Sequence, residues 1–197
     1  MENKVRQYIQ NEVAKSLATI QLLAGDESIV AIVEQVAKTC CRALRAGNKI
    51  LLAGNGGSAA DAQHLAGELV SRLNFDRPGL PAFALTTDTS VLTAIGNDYG
   101  YEKLFARQVN AVGSAGDVFI AISTSGRSPN ILRALEEGRR KALVTVGLTG
   151  ETGGDMLALC DYCICVPSPE TPKIQEGHII LGHIICGLIE YEIFGGD

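Results

Sequence analysis

The chain has 197 residues, of which 46% are hydrophobic and 20% charged, a balance typical of one globular domain with a substantial core. Its formal net charge of −5 at pH 7 disfavours a general nucleic-acid-binding surface. Residues 1–10 are too polar for a signal peptide, and no uninterrupted apolar run approaches the roughly 18 residues of a membrane span. We therefore expect a cytoplasmic protein with neither a nucleic-acid nor a membrane partner.

The first 46 residues are predicted to form two helices with a break at Gly25-Asp26. Apolar residues recur at helical spacing on both sides of the break. They are Val5, Ile9, Val13, Leu17 and Ile20 before it, and Ile29, Val33, Val36 and Cys40 after it. Gly47-Asn48 is a typical stop signal, so the second helix is expected to end there.

Five short apolar runs follow, and they are continuous rather than alternating, which is typical of strands covered on both faces. They span residues 49–53, 81–86, 118–123, 143–148 and 162–166. Helical patterns lie between most of them, over 58–73, 90–95, 101–112 and 129–141, and a long apolar-striped helix is predicted over 174–194. This series predicts an α/β fold with a parallel sheet between layers of helices. Such sheets bind ligands at the carboxyl ends of their strands.

Two strand-to-helix loops are candidates for binding an anion. Gly54-Asn55-Gly56-Gly57-Ser58 leads from the first strand into a helix, whose free N–H groups attract anions. The same loop loosely matches a dinucleotide fingerprint, with Asp88 as a candidate ribose acid, but a lone match of this kind is weak. The 123–128 loop, Ser-Thr-Ser-Gly-Arg-Ser, follows the third strand and offers four hydroxyls. Ser128 is its predicted N-cap, and the loop as a whole favours a phosphate site over simple capping.

The helix after the first loop carries a polar stripe of Asp61, His64, Glu68 and Arg72. His64 and Glu68 are one turn apart, so they can converge on one ligand, although a solvated charged face has the same spacing. Asp61 fits two interpretations equally: a capping box with Ser58, or support of catalysis.

The predicted C-terminal helix adds Gln175, His178 and His183 to an otherwise apolar sequence. Gln175 and His183 project in similar directions, whereas His178 points elsewhere. His64, Glu68 and His183, with Gln175 as a further candidate, could bind a zinc-like ion. Gln175 and His183 are about 12 Å apart along a helix, so they must lean together or come from different subunits.

The six cysteines are predicted to be free thiols in a reducing compartment. They are Cys40, Cys41, Cys160, Cys163, Cys165 and Cys186. Cys160 and Cys163 form a C-x-x-C pair, but no second pair at matching spacing completes a closed zinc site.

Five motifs resemble the phosphoheptose isomerase family of the sugar-isomerase (SIS) superfamily. They are Gly54-Asn55-Gly56-Gly57-Ser58, His64-x-x-x-Glu68, Gly96-Asn97-Asp98-Tyr99-Gly100, Ile122-Ser123-Thr124-Ser125-Gly126 and Ile174-Gln175-Glu176-x-His178. The resemblance implies a three-layer, flavodoxin-like fold with a five-stranded parallel sheet. It also implies one SIS domain over 1–197, made of a helical extension (1–46) and an α/β core with the C-terminal helix (47–197).

The resemblance further implies conversion of D-sedoheptulose 7-phosphate to D-glycero-D-manno-heptose 7-phosphate through an enediol, for bacterial lipopolysaccharide or capsule. It implies a homotetramer with active sites at subunit interfaces and one zinc per subunit, held by His64, Glu68, Gln175 and His183. Glu68, His183 and Asp61 are the implied catalytic residues. The implied substrate contacts are Asn55, Gly56, Gly57, Glu68, Asn97, Asp98, Ser123, Thr124, Ser125, Ser128 and Gln175.

Other functions are compatible with the same motifs. A non-catalytic SIS protein, such as a replication-initiator-binding paralogue or a sugar-phosphate sensor, would need the fold but not all four metal-site residues. An isomerase of a hexose or pentose phosphate would differ only in the shape of its cavity. A dinucleotide-dependent oxidoreductase would leave the second loop and the polar stripe without a role.

Overall fold

A computed structural model describes residues 2–195 of the chain; Met1, Gly196 and Asp197, which the predicted domain includes, lie outside the described residues. The helices are α1 (Glu2–Gly25), α2 (Glu27–Arg45), α3 (Gly57–Val70), α4 (Thr89–Tyr99), α5 (Leu104–Val112), α6 (Pro129–Arg140) and α7 (Thr171–Phe194). The strands are β1 (Ile50–Gly54), β2 (Ala82–Ala84), β3 (Val118–Ile122), β4 (Val144–Gly150) and β5 (Tyr162–Val166). Short 3-10 turns occupy Tyr101–Lys103 and Gly154–Ala158.

The five strands form one parallel sheet in the order β2-β1-β3-β4-β5. In the central strands, neighbouring residues face opposite sides: Leu52 and Ile120 join one core cluster, and Leu51 and Phe119 join the other. Helices α2, α3 and α7 cover the first face, and α5 and α6 cover the second. The predicted three-layer, flavodoxin-like fold is therefore confirmed, and β1 and β3 are buried along their full length as a doubly covered sheet requires.

Some predicted boundaries differ from the structure. Edge strand β2 has three residues instead of six, and its Phe83 is half exposed because no strand flanks it on one side. The predicted helix over 101–112 begins as a 3-10 turn before α5 starts at Leu104. Gly100, with φ of +83°, separates this turn from α4, in a left-handed conformation that favours glycine.

Helix α1 has the predicted helical period, but its apolar stripe is not part of the core. Val5, Ile9, Val13 and Leu17 are each more than half exposed. A hydrogen bond and an ion pair hold α1 against α7. The buried Lys173 ammonium donates to Ser16 Oγ at 2.9 Å and lies 3.5 Å from Glu12 Oε2. A helical stripe left open in this way is typical of a surface that another protein surface covers.

Helix α7 is long and apolar enough to cross a membrane by length and composition, with a mean hydropathy of 1.3 over its most apolar window. Helices α1 and α2 would meet the same criteria only as a pair bent by 73°. Ile174, Leu181, Ile185 and Ile189 of α7 are buried in the core. Packing on the sheet thus explains the apolar composition of α7, as in the core helix of many globular proteins.

The amino ends of β1 and β3 are joined by one buried carboxylate. Asp117 accepts hydrogen bonds from Ser114 N (2.8 Å), Lys49 N (3.0 Å) and Asn48 Nδ2 (3.2 Å), and its Oδ2 lies 2.7 Å from Lys49 Nζ. Burial alone would raise the pKa of Asp117, but these donors hold it below its ordinary value of 3.8. The ionised carboxylate therefore fixes the entry of both central strands.

We predict that Asp117→Asn lowers the free energy of unfolding by about 1–3 kcal/mol at pH 7, because an amide cannot satisfy all four donors. A depressed pKa means that this stabilisation is complete above the ordinary pKa and is lost as the pH falls through the lower, folded-state pKa. Urea unfolding of wild type and variant should thus give a large difference at pH 7 and a smaller one near pH 3. A difference independent of pH would contradict the role of the charge.

Candidate functional site

The predicted loops meet at the centre of the sheet, where β1 and β3 are neighbours. The chain leaves β1 toward β2 on one side and reaches β3 on the other, so this is the topological switch point where open α/β sheets bind ligands. Asn55, after β1, and Asn130, in the first turn of α6, exchange two amide hydrogen bonds of 2.8 and 2.9 Å. Tyr101 Oη also donates to Asn55 Oδ1 at 2.9 Å. The two loops are therefore held side by side.

Three of the predicted metal ligands, called the ligand group below, converge on one another: His64, Glu68 and His183. His64 and Glu68 come from α3, and His183 comes from α7; one ligand atom from each lies within 4.8 Å of the other two. The Nε2 atoms of the two histidines are 2.7 Å apart, and His64 Nε2 is 3.2 Å from Glu68 Oε1. All three belong to one chain, so the ligand group does not need His183 from another subunit.

The donor set fits a divalent ion of the zinc type. Two imidazole nitrogens and one carboxylate form a ligand set found in catalytic zinc sites, which keep a further position open. Two nitrogens on a tetrahedral zinc are about 3.3 Å apart, so the two Nε2 atoms, now 2.7 Å apart, need to separate by about 0.6 Å. The rings stand edge to face at 75°, with their nitrogens directed at the same region.

Gln175 lies at the other end of α3. Its side-chain amide packs on Gly57, and a Cβ at that position would come within 2.6 Å of Gln175 Nε2. The glycine therefore leaves the space that Gln175 occupies. Its amide meets the first turn of α3, whereas His183, two turns further along α7, meets His64. The structure thus places Gln175 beside the glycine loop, and its role as a fourth ligand stays a prediction.

The capping-box interpretation of Asp61 is wrong. Helix α3 begins at Gly57 with Gly56 as its N-cap, so Ser58 is already inside the helix and cannot cap it. The Asp61 carboxyl is half buried, and within residues 2–195 its Oδ2 has no hydrogen-bond partner. Burial raises the pKa of Asp61, and the charge of His64 opposes that shift. A carboxyl in this environment beside His64 is suited to holding a proton.

Two hydroxyls of the 123–128 loop lie together after the carboxyl end of β3. The Oγ atoms of Ser123 and Ser128 are 2.9 Å apart, and Ser125 Oγ accepts a hydrogen bond from Arg127 N at 3.2 Å. Ser128 does occupy the N-cap position of α6, but its side chain makes no capping bond to any described residue. The prediction that Ser128 is the N-cap residue is therefore confirmed, while its hydroxyl pairs with that of Ser123 instead of the helix backbone.

For three predicted substrate contacts the structure shows the local surroundings only, and their role stays a prediction. Asn97 and Asp98 end the exposed last turn of α4, where Asn97 Nδ2 donates to Asp98 Oδ1 at 2.8 Å. Thr124 lies in the hydroxyl loop, where its carbonyl accepts from Gly150 N at 3.1 Å.

Other polar candidates have structural roles. Asp88 caps α4 by accepting from Val91 N at 3.0 Å, which accounts for it without a ribose. His178 is fully buried and bonded to Thr149 O at 3.1 Å, and burial lowers its pKa to about 4. All six cysteines are free thiols, as predicted.

Sequence reasoning missed Asn130 and Tyr101, which orient Asn55. Asn130 is almost fully buried at the start of α6. A polar side chain one residue after Pro129, in the first turn of a helix beside a ligand loop, is the signal that could have identified it. Tyr101 follows a glycine in an exposed turn and carries no comparable signal.

Known proteins resemble the chain in both sequence and fold. The model of the SIS domain family matches residues 15–150. Phosphoheptose isomerases of Burkholderia pseudomallei (strain 1710b) and Aneurinibacillus thermoaerophilus are 60% and 62% identical to the chain; the first alignment covers 99% of both proteins, and the second 95% of this chain and 94% of its relative. The chain belongs to the phosphoheptose isomerase family. The structure of phosphoheptose isomerase GmhA from Neisseria gonorrhoeae, 41% identical, superposes with a TM-score of 0.88 over 94% of this chain and 98% of that one.

Membership of the phosphoheptose isomerase family makes the chain a sugar-phosphate isomerase by descent. The resemblance drawn from the five motifs is confirmed.

The contact between Gly57 and Gln175 gives a test of the site. We predict that Gly57→Ala lowers kcat/KM at least about tenfold, because displacing a positioned group by ~1 Å costs up to about a hundredfold. Its effect on stability should be small, since the methyl group displaces only the flexible end of Gln175. Steady-state kinetics and thermal unfolding measure both effects.

Gly67→Ala is the matched control, because Gly67 lies on the same helix with open space around its Cβ position. It should keep wild-type activity and become slightly more stable. Equal activity of the two variants would show that the position of Gln175 does not matter.

Proposed function

We propose that this chain isomerises D-sedoheptulose 7-phosphate to D-glycero-D-manno-heptose 7-phosphate through an enediol. The observation that carries the proposal is the convergence of His64, Glu68 and His183 beside a hydroxyl loop in a chain 60% identical to named phosphoheptose isomerases. The product would supply the heptose of bacterial lipopolysaccharide or capsule.

In this proposal the 123–128 loop binds the phosphate. Ser123, Thr124, Ser125 and Ser128 offer hydroxyls at the start of α6, where N–H groups and the helix dipole favour an anion. The phosphate then anchors one end of the sugar, and Asn55, Gly56, Gly57 and Gln175 contact the part nearer the reacting carbons. Asn97 and Asp98 would complete the cavity from the end of α4. Binding remote from the reaction thereby positions C1 and C2.

Glu68 and His183 form the proposed acid–base pair. Isomerisation removes a proton from C1 of the ketose and delivers one to C2, while protons also move between O1 and O2. His183 Nε2 faces the ligand group, so Nδ1 is the nitrogen left for exchanging protons. Glu68 directs Oε1 to His64, which leaves Oε2 for the substrate. Asp61, beside His64, would hold a proton or orient a substrate hydroxyl.

Zinc is the proposed cofactor, one ion per subunit, held by His64, Glu68 and His183 with Gln175 as fourth ligand. When bound, the ion supplies positive charge that stabilises negative charge on the substrate oxygens.

A homotetramer in the cytoplasm is the proposed state of the enzyme. The exposed stripe of α1 continues into an apolar groove lined by Ile20, Val30, Ile184 and Leu188, a surface typical of self-association. In such an assembly a neighbouring subunit could bring Asn97 and Asp98 to the site. Free thiols at all six cysteines are typical of a reducing compartment.

A sugar-phosphate sensor with the same fold would need the hydroxyl loop but not the ligand group. A hexose or pentose phosphate isomerase would need both, so only the choice of substrate separates it from the proposal.

The direct test is NMR of the purified protein with sedoheptulose 7-phosphate. We expect aldose anomeric signals to appear with the untreated protein. They should not appear with protein that has been treated with a chelator, and adding zinc to that protein should restore them. Fructose 6-phosphate and ribulose 5-phosphate serve as control substrates. Binding of sedoheptulose 7-phosphate without any aldose signal would favour the sensor, and faster turnover of a control substrate would favour another isomerase.

The acid–base assignment is tested by Glu68→Gln and His183→Gln. Each should lower kcat by at least about a hundredfold, the usual contribution of a positioned acid or base. Circular dichroism should show folded protein, because the Glu68 and His183 side chains are only partly buried. Near-native turnover of either folded variant would remove that residue from the mechanism.

A further inference from the structure

The ligand group is divided between two helices that the chain forms far apart. His64 and Glu68 lie on α3, His183 lies on α7, and the chain between these helices includes four of the five strands, β2 to β5. Its geometry therefore depends on whatever fixes α3 against α7. One contact of this kind lies two turns beyond His183 on α7, at the end of α3.

That contact is a buried ion pair between Arg77 and Glu190. Arg77 Nε donates to Glu190 Oε1 at 3.1 Å, and the two side chains are 2% and 0% exposed. Glu190 also accepts from the backbone N–H groups of Leu73 (3.0 Å) and Asn74 (2.8 Å), in the segment after α3. One α7 carboxylate thus holds both the guanidinium and the chain that follows α3.

The other face of the Arg77 guanidinium caps α3. Nη2 donates to Glu68 O at 2.8 Å, and Nη1 donates to Leu69 O at 2.6 Å, to Pro78 O at 3.1 Å and to Ser71 O at 3.2 Å. Carbonyls in the last turn of a helix have no partner within the helix, so these bonds are needed in a buried setting. One of them ends on the backbone of Glu68, whose side chain belongs to the ligand group.

We infer that Arg77 and Glu190 are positioning residues that fix Glu68 and His64 relative to His183. The inference rests on the proposed function. Glu190 follows His183 by seven residues, so it lies on the same face of α7 about 10.5 Å further along the axis. Arginine is required at position 77, because its planar guanidinium donates to the carboxylate and to several carbonyls at once. A lysine ammonium is a compact group that cannot reach all of these acceptors.

The test compares Arg77→Lys and Glu190→Gln with wild type. Zinc affinity, measured by competition with a chromophoric chelator, should fall about 10–100-fold, the usual effect of losing a residue that orients a metal ligand. With saturating zinc, kcat should fall while KM for sedoheptulose 7-phosphate changes less than about threefold, because the phosphate loop lies on β3 and α6.

Leu143→Ala is the control for a loss of stability alone. Leu143 is buried in the core cluster on the opposite face of the sheet and at the amino end of β4, away from the site. It should lower the melting temperature and leave zinc affinity unchanged. If Arg77→Lys and Glu190→Gln also lower the melting temperature without changing zinc affinity, the ion pair only stabilises the fold and the inference fails.

The design separates this inference from the proposed function. Wild type that binds zinc without isomerising the sugar overturns the function, whereas zinc affinity of the variants still judges the positioning role. Failure of both Arg77→Lys and Glu190→Gln to fold overturns the inference, because the ion pair would then be required for folding rather than for positioning.

Discussion

The site depends on the contact between α3 and α7. Gly182 is the residue that lets the helices approach, because a Cβ there would lie 2.6 Å from the methyl carbons of Leu65. Leu65 follows His64, and Gly182 precedes His183. A closely packed pair thus sits directly behind the two histidines and directs their rings to one side. Interiors packed at this density do not deform gradually, so the ligand atoms inherit a definite spacing.

The same contact explains the division of labour around the switch point. The 123–128 loop, which is the proposed phosphate site, connects β3 to α6, and these two elements pack through the core cluster of Phe119 and Leu135 on the far face of the sheet from α7. The ligand group lies on α3 and α7 over the opposite cluster. Asn55 joins the two halves, since it follows β1 and bonds to Asn130 of α6. In the proposed mechanism, phosphate binding and proton transfer would therefore use opposite faces of the sheet, which the Asn55 loop connects.

The sequence was sufficient for the sheet because buried parallel strands and the helices between them have strong, different periodicities. It also identified His64 and Glu68, since one helical turn fixes their relation. It could not determine that His183 meets them within one chain, because that depends on how α7 packs 119 residues away. Local rules failed at Ser58, because Gly56 is the N-cap of α3. They placed Ser128 correctly at the N-cap of α6, but they could not show that its hydroxyl pairs with Ser123. Arg77 and Glu190 carry no local pattern at all, since each is meaningful only through the other.

Helix α1 shows a further limit of periodicity. Val5, Ile9, Val13 and Leu17 follow the spacing of a helix that packs on a core, yet they face outward here. A hydrophobic stripe predicts that another protein surface packs on the helix. It does not show whether that surface belongs to the same chain or to another copy. The hydrogen bond that Lys173 donates to Ser16 and its ion pair with Glu12 hold α1 against α7 without using the stripe. Helix α7, which carries Gln175 and His183, thereby contacts both α3 and α1, so a partner surface that covered the α1 stripe would contact the same helix pair that supports the site.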